Sequence, residues 1–301
     1  MKVGVCFTPN SFNFNLSQMD LVSSLKAVSN LIEKMDKGFV TFLKSNDFDE
    51  HAATEVYKQV DSLDAGAIMS LLYDQQMNKA STIPRNEPEV NTIVNAASPV
   101  YNSLWLSLYS YDIQKTLTTA ANRTIHSEKS LVHYCSEVLV NITRSHNEYA
   151  EAFIQIYQNL LFLDNPQNSS NKTFDSIRKI EGGYTCFIKG ITECLSYMNS
   201  YEIIPHDSHR NIANLNASLT FALTPEGTGK NKRQLKALKR DFLINGIEYK
   251  NVNCEYHYKL ERIDGANGNG TYFYNRIYFG FFNRIDEEAP QIAIAHIGEH
   301  L

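Results

Sequence analysis

A change of character after about residue 205 constrains this chain more than any other feature of it. Before that point apolar residues recur at intervals of three and four; after it come an irregular stretch and a short amphipathic segment, and from Phe242 onward they alternate. Helical spacing lays apolar side chains along one stripe, whereas alternation sends successive side chains to opposite faces of a strand. The pattern predicts an α+β protein with a large all-α N-terminal domain (residues 1–204) and a small antiparallel β-sheet domain (205–301). A length of 301 residues suffices for two domains, and a 43% hydrophobic content excludes disorder over the whole chain.

In the first region Leu21, Leu25, Val28, Leu31, Ile32 and Met35 make one stripe behind Ser17, an N-cap. Two shorter helices fall between Asp47 and Met77, and Pro84, Pro88 and Pro99 punctuate the next stretch. Tyr101–Ala121 and a long Ser127–Leu163 segment read as further helices, the latter stopped by Asp164-Asn165-Pro166. Phe174–Met198 reads as one more, with Gly182-Gly183 as a point of kinking or breaking. The expected role of this helical domain is sensing, restraint or docking of a protein partner. No apolar run reaches the ~18–20 residues of a membrane span, so no membrane association is expected. The apolar start Val3–Phe7 is too short for a signal peptide. Cys6, Cys135, Cys186, Cys194 and Cys254 are odd in number and lack a C-x-x-C, which fits a reducing cytoplasm better than disulfides or zinc. The Asn-x-Ser/Thr matches then reflect an Asn-rich composition.

Charge divides with the period. Residues 228–301 hold 11 basic and 9 acidic side chains, leaving 17 and 24 for the rest. Lys230, Lys232, Arg233, Lys236, Lys239 and Arg240 lie without an acid between them on a segment, Lys230–Phe242, that reads as an amphipathic helix. Such a run is either a solvated face or a surface for RNA phosphates. Three strand-like blocks come next. The first puts Cys254, Tyr256, Tyr258 and Leu260 on one face and Glu255, His257, Lys259 and Glu261 on the other. The second, Tyr272–Phe282, separates Phe273, Ile277, Phe279 and Phe281 from Tyr274, Arg276 and Tyr278. The third, Gln291–Leu301, needs a bulge near Gly298 to turn His300 away from the face of Ile292 and Ile294. Asp264–Gly270 reads as a hairpin loop between the first two.

If these strands are neighbours, one polar face collects His257, Lys259, Arg276, Tyr278 and His300 as catalytic candidates. Cleavage of an RNA phosphodiester needs a base for the 2′-hydroxyl, cations for the phosphorane and an acid for the departing 5′-oxygen. Histidine serves either proton role near neutral pH. The same pattern also describes a half-exposed sheet with a polar outer side. The run of a basic helix, "HYKLERI", "NRIYFGFF" and a closing "QIAIAHIGEHL" resembles the RelE/ParE superfamily, specifically the RelE, YoeB and HigB mRNA endonuclease toxins. The matching positions are Arg276 in Arg276-Ile277-Tyr278-Phe279 and His300 next to the end, with Lys259 and Arg262 as basic residues of the preceding strand. The resemblance covers about 70 of 301 residues. It implies a RelE-like fold, ribosome-dependent mRNA cleavage without a metal or cofactor, and RNA contacts from Lys232, Arg233, Lys236, Lys239, Arg240 and Arg262.

Other signals are weaker. Gly227-Thr228-Gly229-Lys230-Asn231 lacks the first glycine and the final Ser/Thr of a P-loop. His206 and His209 have no Cys or His cluster to complete a metal site, and Asp286-Glu287-Glu288 reads as a solvated turn before Pro290. Two functions remain: a toxin-like or anti-phage effector whose C-terminal domain cleaves mRNA with RNA or the ribosome as partner, and a non-catalytic interaction protein. Opposite charges on the two regions make masking of the basic tail by the acidic part physically reasonable.

Overall fold

The structure, a computed structural model, describes residues 1–59, 62–74, 77–112, 121–163, 173–226, 238–244, 246–260, 275–283 and 290–301. The chain forms two compact units, Met1–Val138 and Leu139–Leu301. The first is built as β1 (Lys2–Phe7), α1 (Gln18–Met35), β2 (Val40–Lys44), α2 (Phe48–Gln59), α3 (Ser62–Asp74), β3 (Ser81–Thr82), α4 (Glu87–Asn95), β4 (Val100–Tyr101), β5 (Leu104–Tyr109) and β6 (Thr124–Ile125). It ends within α5 (Glu128–Asn141). β3, β2, β1 and β5 lie side by side and parallel, and β6 adds parallel to β5. β4 turns back onto β5 as a hairpin through Asn102 and Ser103, both at positive φ, the geometry of a two-residue turn matched to strand twist.

A parallel sheet needs both faces covered. On one side Cys6, Leu43, Leu106 and Leu108 pack with Ile83, Val90 and Val94, the last two from α4. The alternate residue of β1, Phe7, stacks among Phe12, Phe42, Phe48 and Tyr109, with ring centroids 5.2–6.4 Å away. Ser17 caps α1 by accepting from the Asp20 amide.

The second unit continues with α6 (His146–Ile156), β7 (Leu160–Phe162), α7 (Gly183–Asn199), α8 (Ser208–Asn216), β8 (Leu223–Pro225), β9 (Lys239–Ile244), β10 (Ile247–Asn253), β11 (Tyr256–Leu260), β12 (Asn275–Phe282) and β13 (Gln291–Glu299). Its main sheet has the order β7-β13-β12-β11-β8, antiparallel except where β7 runs parallel to β13. α7 packs on β11, with Tyr258 Oη 3.5 Å from Glu193. The opposite face carries the β9–β10 hairpin at one end, where Phe242, Ile244, Tyr249, Val252 and Cys254 meet Phe282, Ala293 and Ala295. Gly280 allows that approach, because a Cβ there would sit 2.0 Å from the Asn253 carbonyl oxygen.

The architecture is therefore mixed α/β along its whole length, which overturns the expected all-α N-terminal domain followed by a small β domain. Tyr101–Ala121 holds β5 instead of a helix, with residues 113–120 outside the described set. Ser127–Leu163 is two helices and a strand: Ser145 and Glu148 form a capping box that restarts the helix, and Leu160–Phe162 then joins the sheet. At the other end of the chain, Lys239–Phe242 belongs to a strand where an amphipathic helix was expected. β1 and β2 escape alternation because they are covered on both faces, so their short apolar runs do not distinguish strand from helix. No described helix is long and apolar enough to cross a membrane.

Candidate functional site

Strand pairing sets the site. Thr224 of β8 lies opposite His257 of β11, His257 opposite Tyr278 of β12, and Tyr278 opposite His296 of β13. Directly paired residues share a face, so these four make one row across four strands. Lys259 and Arg276 face each other two residues along on the same side. Two like charges directly opposite disfavour pairing unless an anion answers them.

His296 reaches the row through a bulge. Tyr278 pairs with His296 and Phe279 with Ile294, leaving Ala295 as the extra residue. The bulge is thus three residues earlier than the expected one near Gly298, and it re-aims His296. Gly298, at φ 148, instead lets the Ser176 side chain lie where a Cβ would be, and the Ser176 hydroxyl accepts from the Glu299 amide. His300 lies just past the end of β13.

Glu226, just beyond β8, organises the cluster. Its Oε2 lies 3.1 Å from His257 Nδ1 and accepts from Tyr278 Oη at 3.3 Å, while Oε1 lies 3.5 Å from His300 Nε2. The His257 contact is close but not aligned as a hydrogen bond. The Thr224 hydroxyl meets the other ring nitrogen of His257 at 3.1 Å, and the Leu301 amide donates to Tyr278 Oη at 3.2 Å. The rings of His257 and His300 are 6.3 Å apart, and those of Tyr278 and His296 are 5.9 Å apart.

The cluster is mostly enclosed, with His257 at 6% exposure and Tyr278 at 0%, while the His300 side chain is 25% exposed. Burial pushes the His257 imidazole down from its usual range to about 4. Glu226 opposes that shift, and Arg276, His300 and Lys259 add to it. His257 is consequently neutral at physiological pH. Burial also lowers His296, whose Nε2 sits 2.9 Å from the Glu299 carbonyl, with Arg240 contributing in the same direction.

The structure brings together His257, Tyr278 and His300 around Glu226, with Lys259 and Arg276 beside them. Arg276 Nη1 donates to the Asn275 carbonyl at 2.9 Å. Of the expected RNA-contacting residues, Lys239 and Arg240 sit on the β9–β10 hairpin, and Lys232, Arg233, Lys236 and Arg262 lie outside the described residues. Thr224, Glu226 and His296 were not among the residues expected from the sequence. Thr224-Pro225-Glu226 looks like a simple break, and only pairing with β11 reveals an edge strand that tolerates proline. Among the described residues no group of three or more His, Cys, Asp or Glu side chains is arranged to hold a metal ion. Chemically the arrangement offers a neutral imidazole, a second and more accessible imidazole, a carboxylate linking them, and two cations on one face. Comparison of the chain with protein-family models, curated proteins and solved structures returned no match.

Proposed function

We propose that the second unit cleaves RNA by metal-independent acid–base catalysis, and that the protein is a toxin-like or phage-defence effector acting on mRNA, with the ribosome as the setting for cleavage. The observation that carries this reading is the Glu226 carboxylate joined to two histidines and a tyrosine on the face that also bears Lys259 and Arg276. In the proposed step a base takes the proton of the 2′-hydroxyl and the 2′-oxygen bonds to phosphorus. The 5′-oxygen leaves with a proton from the acid, giving a 2′,3′-cyclic phosphate and a 5′-hydroxyl. His300, the more accessible imidazole, exchanges a proton with the substrate. Neutral His257 and Glu226 hold and tune the cluster, and Arg276 and Lys259 stabilise the phosphorane charge. The resemblance of residues 276–279 and of the terminal His300 to RelE-type toxins supports the same roles.

The test is incubation of the purified full chain with ribosome-bound mRNA and with free RNA in the presence of a chelator, with cut sites mapped by primer extension. Cleavage that persists in chelator and is lost in His300→Ala and Arg276→Ala supports the proposal. RNA left intact in both settings, together with unaffected growth of cells expressing the chain, refutes it. A second reading is favoured by the burial of Tyr278 and His257: the cluster is a structural polar network inside a non-catalytic docking module. On that reading His300→Ala changes stability and leaves RNA and cell growth untouched.

A further inference from the structure

A cavity of about 450 Å³ opens in the second unit, away from the histidine row. It lies where β7 and β13 begin side by side and where α7 ends, with Asn159, Asn199 and Gln291 on its wall. Gln291 opens β13 and His296 lies further along it, about 16 Å away at ~3.3 Å per residue. The volume falls within the ~300–1,000 Å³ of small-molecule pockets.

One buried amide on that wall is left incomplete by the fold. Asn199, the last residue of α7, is 4% exposed. Its Oδ1 accepts from the Asn159 backbone amide at 2.9 Å, and its own carbonyl accepts from Asn159 Nδ2 at 2.8 Å. A backbone N–H only donates, so this pairing fixes which end of the Asn199 amide is oxygen. Nδ2 is then the donor still open, on a side chain that lines the cavity, and no described residue accepts from it. Buried polar groups are ordinarily paired, so a donor in this position calls for an acceptor from outside the chain.

The rest of the wall sets the chemistry of that acceptor. Met198, Ile203, Pro290 and Ile292 are apolar. Tyr201 adds an aromatic ring held in place, since its hydroxyl donates to Asn211 Oδ1 at 2.9 Å and accepts from Asn214 Nδ2 at 3.3 Å. No Lys, Arg or His is among the described residues lining the cavity, so a phosphate or carboxylate finds no counter-charge there. Negative character is supplied instead. The carboxyl end of α7 carries a partial negative charge, and Glu202 brings a full one from an exposed position. This combination suits a flat, uncharged ring that accepts at one edge atom and donates from the next. A ring nitrogen beside an exocyclic amine has that pattern, and an asparagine amide is a common partner of adenine for this reason.

We infer that this cavity binds an adenine-type heterocycle. Asn199 Nδ2 donates to a ring nitrogen, the exocyclic amine lies on the negative side formed by Glu202 and the end of α7, and the ring packs against Tyr201. Free nucleosides and unpaired adenines of RNA share this chemistry. Binding needs none of the histidine cluster, so it stands apart from the proposed cleavage. No spacing motif marks the site, because Asn159 and Asn199 are 40 residues apart and only the fold joins them.

The test titrates the full chain with adenosine and with inosine by isothermal calorimetry, with saturation-transfer NMR of the nucleoside as a second readout. Adenosine should bind at a single site, at least about tenfold tighter than inosine, whose 6-oxo group replaces the amine and meets like charge. ATP should bind no tighter than adenosine, because no cation awaits its phosphates. Asn199→Asp keeps the oxygen that holds Asn159 and loses the donor, and should weaken adenosine at least about tenfold. That change puts a charge in a buried place, so Ile203→Trp, which fills the cavity from a half-buried position, is the second variant. It should abolish binding while the circular dichroism stays that of wild type. A 2′-O-methyl oligoadenylate, which has no free 2′-hydroxyl to be attacked, identifies the source. Competition with adenosine supports the site as the holder of an RNA base, and lack of competition supports a free nucleoside. Absence of adenosine binding at millimolar concentration overturns the proposal. So does equal affinity for inosine, or binding unchanged in both variants.

Discussion

Lowering the pH from 7 to 4 should destabilise the second unit through His257. Unfolded histidine titrates at about 6.5, whereas burial holds His257 near 4 in the folded chain. The folded-state value is depressed, so the unfolded chain binds the extra proton first. The contribution is fully present above pH 6.5, is lost as pH falls toward 4, and is constant below that. A shift of about 2.5 units at 1.36 kcal/mol per unit amounts to about 3 kcal/mol. Carboxylates titrate over part of the same range, so the informative quantity is the wild-type stability minus that of His257→Gln at each pH, in which shared titrations cancel. Urea unfolding followed by far-ultraviolet circular dichroism at half-unit intervals gives that difference. It should fall by about 3 kcal/mol between pH 7 and pH 4, with a slope no steeper than ~1.4 kcal/mol per pH unit for one proton. A difference flat to within about 0.5 kcal/mol, the usual limit of additivity, would refute the reasoning. An imidazole resonance of His257 that titrates near 6.5 by NMR would do the same.

Glu226→Gln should lower the His257 titration further, since the carboxylate raises it, and the same NMR titration reads the shift. Gly280→Ala should destabilise by about 3 kcal/mol in chemical denaturation, because the new methyl meets the Asn253 carbonyl and backbone must move. Ser145→Ala removes the capping box of α6 and should cost about 1 kcal/mol in the same assay. Phe153→Ala opens the cluster in which its ring lies 5.7–6.2 Å from those of Tyr149, Tyr157, Phe174 and Tyr184, and should cost about 3–5 kcal/mol.

The sequence by itself determined what depends on near neighbours. The stripe of α1 and its Ser17 cap are local, since a helix closes its hydrogen bonds within four residues. The strands Tyr256–Leu260, Asn275–Phe282 and Gln291–Glu299 fall within three alternating blocks, and the shared face of His257, Lys259, Arg276 and Tyr278 comes from period two once β11 and β12 pair. Only the tertiary structure decided the rest. β1, β2 and β5 are covered on both faces, so their residues carry no alternation to read, and the parallel sheet they form joins segments separated by whole helices. Glu226 becomes the centre of the histidine cluster only because β8 pairs with β11, some thirty residues on, and His296 joins the row only because Ala295 bulges. Asn159 and Asn199 meet for the same reason: long-range packing carries residues 40 positions apart to one place, and no spacing within the chain records it.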